Sequence, residues 1–222
     1  HPGRFSGFAA VPLQAPELAA AELERAVGLG LHGAEICTNV AGRNLDEPEL
    51  DAFWAKAAAL NVPILLHPHN VAAMDRLGKY YLNNLIGNPL DTTIAIASLI
   101  FGGVLDRFPA LKLCFVHGGG YFPYQWGRLE HGYHVRSEPH VNNARPPREY
   151  LERFAFDTIT HSPAALEYLV QVFGSSRVLL GTDYPFDMGL ADPLPIVQGL
   201  SSITEDEKSA ILGGNAARLL NR

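Results

Sequence analysis

Three short apolar runs in this sequence stop at a residue able to bind a metal ion, and each is followed closely by proline or glycine. Leu65-Leu66 runs into His67-Pro68, Phe115-Val116 into His117-Gly118-Gly119-Gly120, and the run at 178–180 into Gly181-Thr182-Asp183-Tyr184-Pro185. Imidazole nitrogen and carboxylate oxygen are the donors that zinc and similar divalent ions accept. A lone histidine or aspartate at a strand end is ordinarily a hydrogen-bonded structural residue. Three at equivalent places in the pattern point instead to a shared metal site.

Other residues carry weaker signals. His69 lies two positions past His67 and would face the same side of an extended segment, but Pro68 turns the chain there, so a loop histidine is the simpler reading. Asp157 ends the run Phe156-Asp157; it either bonds a ligand histidine or caps the following loop, and the cap is favoured. His161 falls further into that loop without an assigned role. Arg128 lies on the helix expected after the glycines, suited either to a bidentate carboxylate pair or to a surface ion pair. The sequence contains no Gly-x-Ser-x-Gly elbow, no phosphate-cradling Walker loop and no strand followed by Gly-x-Gly-x-x-Gly, which removes the main supports for hydride transfer and nucleotide chemistry.

The elements that must position these residues alternate along the chain. Strands are expected at residues 5–13, 33–38, 62–66, 111–116, 154–160 and 178–180. Between them, Pro16 opens a helix with Leu23, Ala26 and Val27 on one face, and Leu50, Phe53, Trp54, Ala57 and Ala58 follow helical spacing. A helix is expected at about 89–105 after a polar and aromatic stretch at 70–88, another carries Leu166, Leu169, Val170 and Phe173, and Thr204 with Glu207 forms a capping box. Strands without polar alternation are buried on both faces, so the sheet is expected to be parallel and covered by helices. Six such strands fit an open doubly wound sheet or six-eighths of a barrel, and periodicity does not separate the two.

Composition narrows the functional classes. Charged residues make up 18% of the 222 positions and hydrophobic ones 47%, the balance of a folded globular enzyme. Seventeen basic against 23 acidic residues give a net charge of −6, which argues against nucleic acid as the main partner. Cys37 and Cys114 fall in separate strand runs and are expected to be buried free thiols. The longest apolar run, 94–105, is interrupted by Ser98, Gly102 and Gly103 and is too short to span a bilayer. With no basic-then-apolar order at the N-terminus, a cytoplasmic location is the expectation.

Taken in order, the motifs resemble those of the second amidohydrolase family, in the group of the aminocarboxymuconate-semialdehyde decarboxylases. The matching pieces are Leu65-Leu66-His67-Pro68, Asn88-Pro89-Leu90-Asp91-Thr92-Thr93, Phe115-Val116-His117-Gly118-Gly119-Gly120, Pro123-Tyr124-Gln125-Trp126-Gly127-Arg128, Gly181-Thr182-Asp183-Tyr184-Pro185-Phe186 and Gly214-Asn215-Ala216. The resemblance implies a TIM-type (β/α)8 barrel of which this chain, residues 1–222, holds about six βα units as a single domain. It implies His67 as the metal ligand of the fifth barrel strand, His117 as the proton-handling histidine of the sixth, and Asp183 as the metal-binding aspartate of the eighth. It further implies that Arg128 reaches a neighbouring subunit's site and holds a substrate carboxylate, hence a homodimer.

Two departures stand out. The family's first strand carries a His-x-His pair or a carboxylate variant, and no such strand occurs here, where the chain starts at the family's third strand. An upstream segment or another chain is therefore expected to fill the gap. The family's tryptophans after the fifth strand are replaced by Lys79-Tyr80-Tyr81-Leu82-Asn83-Asn84.

The expected activity is metal-dependent nonoxidative decarboxylation of a small unsaturated or aromatic carboxylate, with Zn2+ or alternatively Mn2+ as cofactor. Two rivals stay open: a hydratase or lactonase of the same superfamily, and a non-catalytic truncated barrel.

Overall fold

A computed structural model describes His1 and residues 3–222. Six parallel strands form one sheet: β1 (Ala9–Ala10), β2 (Ala34–Cys37), β3 (Pro63–His67), β4 (Lys112–Phe115), β5 (Phe154–Asp157) and β6 (Val178–Leu179). They lie side by side in sequence order, β1-β2-β3-β4-β5-β6, each pairing in parallel with the next. This order decides between the two architectures the sequence allows. A doubly wound sheet reverses direction at a switch point and places its first strand in the middle. Here the winding never reverses, and right-handed crossovers then carry every connecting helix to the same face. The fold is that of a TIM-type barrel, represented by six βα units.

The helices form where apolar spacing and terminal residues agree. In α1 (Pro16–Gly28), proline occupies the first turn and Ala19, Ala20, Leu23 and Ala26 form the buried stripe. That stripe packs on α2 (Asp51–Leu60), whose Phe53, Trp54 and Ala57 are buried; the Trp54 indole N–H donates to the Leu45 carbonyl at 3.1 Å. The helix expected at 89–105 is two helices. α3 (Asn88–Phe101) stops at Gly102, and α4 (Val104–Arg107) starts after Gly103, whose left-handed φ of 71° breaks the hydrogen-bond ladder. Within the stretch at 70–88, Asn83–Gly87 makes a wide π-helical turn that leads directly into α3. The chain continues through α5 (Phe122–Val135), α6 (Pro163–Phe173), α7 (Leu194–Gln198), α8 (Glu205–Ser209) and α9 (Asn215–Leu219). Both halves of the Thr204–Glu207 capping box form at the start of α8.

The core is aromatic at its centre. Phe115 of β4 meets Phe154 of β5 edge-on at 5.4 Å, and Phe154 meets Phe122 of α5 in the same way at 5.8 Å. All three are fully buried, each burial contributing about 1.5–3 kcal/mol. Two expectations need correcting. The first strand, expected over 5–13, is only Ala9–Ala10, because only these residues find a partner on β2. Cys37 is exposed, whereas Cys114 is buried. In β2, Ala34 and Ile36 face the helices while Glu35 and Cys37 alternate onto the sheet's other face, where they line an open cavity of about 640 Å3. Burial on both faces therefore holds for β4 and β5 but fades toward β1. No helix among the described residues is long and apolar enough to cross a membrane.

Candidate metal centre

The carboxyl ends of β3, β4 and β6 bring His67, His117 and Asp183 together. Each offers a ligand atom within 4.8 Å of the other two, the one such grouping among the described residues. The His67 and His117 rings meet edge-on at 5.2 Å, and His117 Nε2 lies 3.7 Å from Asp183 Oδ2. His67 is the last residue of β3, paired in register with Cys37. His117 sits two residues past the end of β4, at φ 54°, and Asp183 lies past β6 at φ 56°. Left-handed backbone in a non-glycine residue costs on the order of 1–3 kcal/mol and persists only where surrounding contacts hold it. Those contacts are visible here. His117 leads a run of left-handed residues through Gly118, Gly119 and Gly120. At Gly120, with φ 64° and ψ −130°, an added Cβ would lie 2.2 Å from the Pro89 carbonyl oxygen, so only glycine lets this turn press against α3.

Burial keeps the His67 imidazole below the ordinary histidine value, and neighbouring His117 pushes the same way against the pull of Glu35 and Asp183. Burial also lowers His117, opposed by the Asp183 carboxylate and reinforced by His161. Both imidazoles are therefore neutral at pH 7 and present free lone pairs, the state a metal requires. Two neutral imidazoles and a carboxylate with converging donor atoms fit a divalent ion of the zinc or manganese type.

The cluster lies on the wall of a cavity of about 1000 Å3. Met74, Tyr81 and Leu85 bound it on the side of the 70–88 stretch, Tyr124 at the start of α5, and Tyr168 on α6. Phe186 stacks on His67, centroids 6.3 Å apart. Such a chamber, largely apolar with a few converging polar groups, suits a flat, partly apolar small molecule.

The weaker sequence candidates separate clearly. His69 lines the cavity but stays outside the ligand cluster. His161 also lines it, at φ 54°, the fourth histidine on the cavity wall. Asp157 bonds backbone rather than a histidine ring: its Oδ1 accepts from Gly118 N–H at 2.8 Å and Ile159 N–H at 3.0 Å. Leaving water pushes its carboxyl up to about 6, opposed by the N–H groups of Gly118, His117 and Ile159. Arg128 is exposed and does not line this chain's own cavity.

Asp91, within the motif Asn88-Pro89-Leu90-Asp91-Thr92-Thr93, holds two loops together. Buried on α3, it accepts from the Thr38 hydroxyl, from Asn39 Nδ2 at 2.9 Å and from Ala72 N–H at 3.0 Å. It thus ties the loop after β2 to the loop after β3. An acidic residue in the first turn of a helix was the only local signal.

The sequence matches the family model described as amidohydrolase over residues 1–222. It is 41% identical over 222 residues to a 2-amino-3-carboxymuconate-6-semialdehyde decarboxylase of Dictyostelium discoideum, covering 99% of this chain and 62% of that protein. Among solved structures, 5-carboxyvanillate decarboxylase from Sphingomonas paucimobilis superposes with a TM-score of 0.90 at 29% identity, over all of this chain and 68% of that one. A dihydroxybenzoic acid decarboxylase from Polaromonas sp. JS666, solved with bound manganese and 2-nitroresorcinol, gives 0.89 at 31% identity, over all of this chain and 71% of that one. The chain thus spans under two thirds of the length of the Dictyostelium relative.

Proposed function

Because the chain belongs to the amidohydrolase family, we propose that it carries the catalytic part of a metal-dependent nonoxidative decarboxylase acting on a small unsaturated or aromatic carboxylate. The observation that carries this reading is the convergence of His67, His117 and Asp183 on the wall of an aromatic-lined cavity. Its similarity to decarboxylases over the whole chain supports the same reaction class.

In this reading His67 and Asp183 hold a divalent ion, Zn2+ or Mn2+, the latter being the ion in the Polaromonas structure. When bound, such an ion supplies Lewis acidity and lowers the pKa of water. His117, kept neutral by burial, takes up a proton and returns it to the carbon that loses its carboxylate. The carbon–carboxylate bond breaks, carbon dioxide leaves, and the electron pair left on that carbon is captured as a C–H bond. Tyr81, Tyr124 and Phe186 sandwich the flat substrate and limit water around the developing charge.

The substrate's carboxylate requires a cation, and Arg128 supplies it from a second copy in a homodimer. Arg128 stands one helical turn beyond Tyr124, which lines the cavity and is 80% exposed. Leu85 shares the cavity wall with Tyr124, and it and Tyr80 and Ile86 of the same 70–88 stretch are also exposed, apolar surface suited to burial against a partner.

The test is release of labelled carbon dioxide from carboxyl-labelled unsaturated and aromatic acids by metal-loaded protein. Hydrated or hydrolysed product without carbon dioxide overturns the proposal.

A further inference from the structure

β5 lies between β4 and β6 in the sheet, and therefore between the strand that delivers His117 and the strand that delivers Asp183. Its last residue, Asp157, and the next, Thr158, reach in opposite directions. Asp157 Oδ1 accepts from the Gly118 N–H, inside the left-handed turn that begins at His117. Thr158 is fully buried, and its Oγ1 accepts from the Gly181 N–H at 3.1 Å, two residues before Asp183. Gly181 packs so closely on Asp157 that an added Cβ would lie 3.0 Å from the aspartate Cβ. Neither side chain faces the cavity, and neither belongs to the ligand cluster.

His117 and Asp183 both hold left-handed backbone conformations, which relax unless neighbouring groups restrain them. We propose that Asp157 and Thr158 are positioning residues that fix the spacing between His117 and Asp183, by bracketing the two loops from the strand between them. This rests on the reading of His67, His117 and Asp183 as a divalent-ion site. The two side chains act through backbone N–H groups and do not touch the ion or the substrate. What Asp157 contributes is an acceptor at Oδ1, so asparagine can replace it and alanine cannot.

Co2+ is the probe, because its visible absorption reports coordination geometry as well as affinity. Asp157→Ala is expected to weaken Co2+ binding about 10- to 100-fold and to alter the visible band. Asp157→Asn keeps the Oδ1 acceptor and is expected to bind within about threefold of wild type. Asp106→Asn serves as the control: it disturbs a carboxylate network on α4, leading into the opposite end of β4, and is expected to lower thermal stability while leaving the cobalt band unchanged. An Asp157→Ala protein with wild-type affinity and band overturns the inference. So does an Asp106→Asn protein that loses Co2+ as strongly, since the effect would then follow from general destabilisation. Should Asp157→Ala fail to fold, the isosteric Thr158→Val removes only the acceptor for Gly181, and an unchanged band in that variant overturns the inference. Wild-type protein that binds no Co2+ overturns the ion site itself, a separate outcome.

Discussion

His117 Nε2 lies 3.7 Å from Asp183 Oδ2, although the two residues leave the sheet from strands separated by β5. The separation is close enough for a shared ion and too long for a direct hydrogen bond. Burial keeps His117 neutral, so the pair is an imidazole beside a carboxylate rather than an ion pair. His67, approaching edge-on from the other side, completes a three-sided donor set. Whether each of the three binds the ion or carries a proton is read by measuring metal content and turnover separately.

His67→Asn and Asp183→Asn should each reduce bound metal from stoichiometric to below about a tenth of an equivalent, since each removes a donor. His117→Asn should keep the metal and lose about 10^2- to 10^4-fold in turnover, the usual loss when a proton-transfer group is removed. Elemental analysis of the dialysed proteins beside labelled carbon dioxide release checks both. Loss of metal in the His117 variant would make it a ligand.

The turn after His117 makes a second prediction. Gly120→Ala places a methyl group against the Pro89 carbonyl and forces alanine to φ 64°, ψ −130°. The expected cost is about 2–4 kcal/mol, from the clash together with the strained backbone. Gly127 on α5 has open space around its Cβ position, so Gly127→Ala is the matched control and should be neutral or slightly stabilising. Urea denaturation of the two variants measures the difference.

Much of this was readable in advance because it depends on local pattern. The apolar runs at 62–66 and 111–116 could only be buried strands, and their abrupt ends at His67 and His117 marked one edge of the sheet. Periodicity alone did not tell whether the sheet winds in one direction, since strand order is set by packing between helices distant in sequence; the ordered motifs did, through their resemblance to a barrel family. The exposure of Cys37 escaped for a related reason: its strand reads as apolar, but its inner face borders an open cavity, a property of the whole sheet. Asp91 and Thr158 escaped because their roles are hydrogen bonds accepted from groups on other loops, which leave no spacing signature. His161 shares the cavity and the left-handed backbone of the two flanking site residues, yet nothing in its sequence neighbourhood distinguishes it from an ordinary loop histidine.

Asp91 yields the third prediction. Replacing it with alanine strands the Thr38 hydroxyl and the Ala72 N–H together, and leaves the Asn39 amide only the His69 and Asn70 carbonyls as acceptors. The expected loss is about 2–4 kcal/mol, larger than for a single hydrogen bond because several donors lose their acceptor at once. Hydrogen exchange at Ala72 should accelerate in step with that loss, reporting release of the loop that walls the cavity. Unchanged exchange at Ala72 would mean that another contact holds the loop.

A pH dependence of stability follows from Asp106. Burial alone would raise its carboxyl, but hydrogen bonds from Arg145, the Ala144 N–H and Tyr150 hold it below the ordinary aspartate value. A group whose folded pKa is depressed contributes stability that is complete above its unfolded pKa of about 3.9 and is lost as pH falls through the folded value. Asp106→Asn should therefore lower the melting temperature at pH 7, with an expected cost of about 1–3 kcal/mol, and flatten the decline in stability below about pH 4. Equal slopes in the two proteins below pH 4 would assign the acid sensitivity to other carboxylates.

The placement of Arg128 makes the homodimer testable without a structure of it. If Arg128 serves the partner's cavity, His117→Asn and Arg128→Ala damage different copies of the composite site. Each variant alone is inactive or weakened, with Arg128→Ala expected to raise KM while keeping its metal. In a mixed dimer, one cavity carries the His117 substitution and faces the altered Arg128, while the other combines an intact His117 with an intact Arg128 from its neighbour. Random exchange of equal amounts makes half the dimers mixed, and each contributes one intact site of two, so activity should recover to about a quarter of wild type. Were Arg128 to act within its own chain, every site would lack one of the two residues and mixing would restore nothing. Arg128→Lys separates charge from geometry: a lysine supplies the cation but not the bidentate fork, so recovery limited to a small fraction of wild type would show that the carboxylate is held by both guanidinium nitrogens.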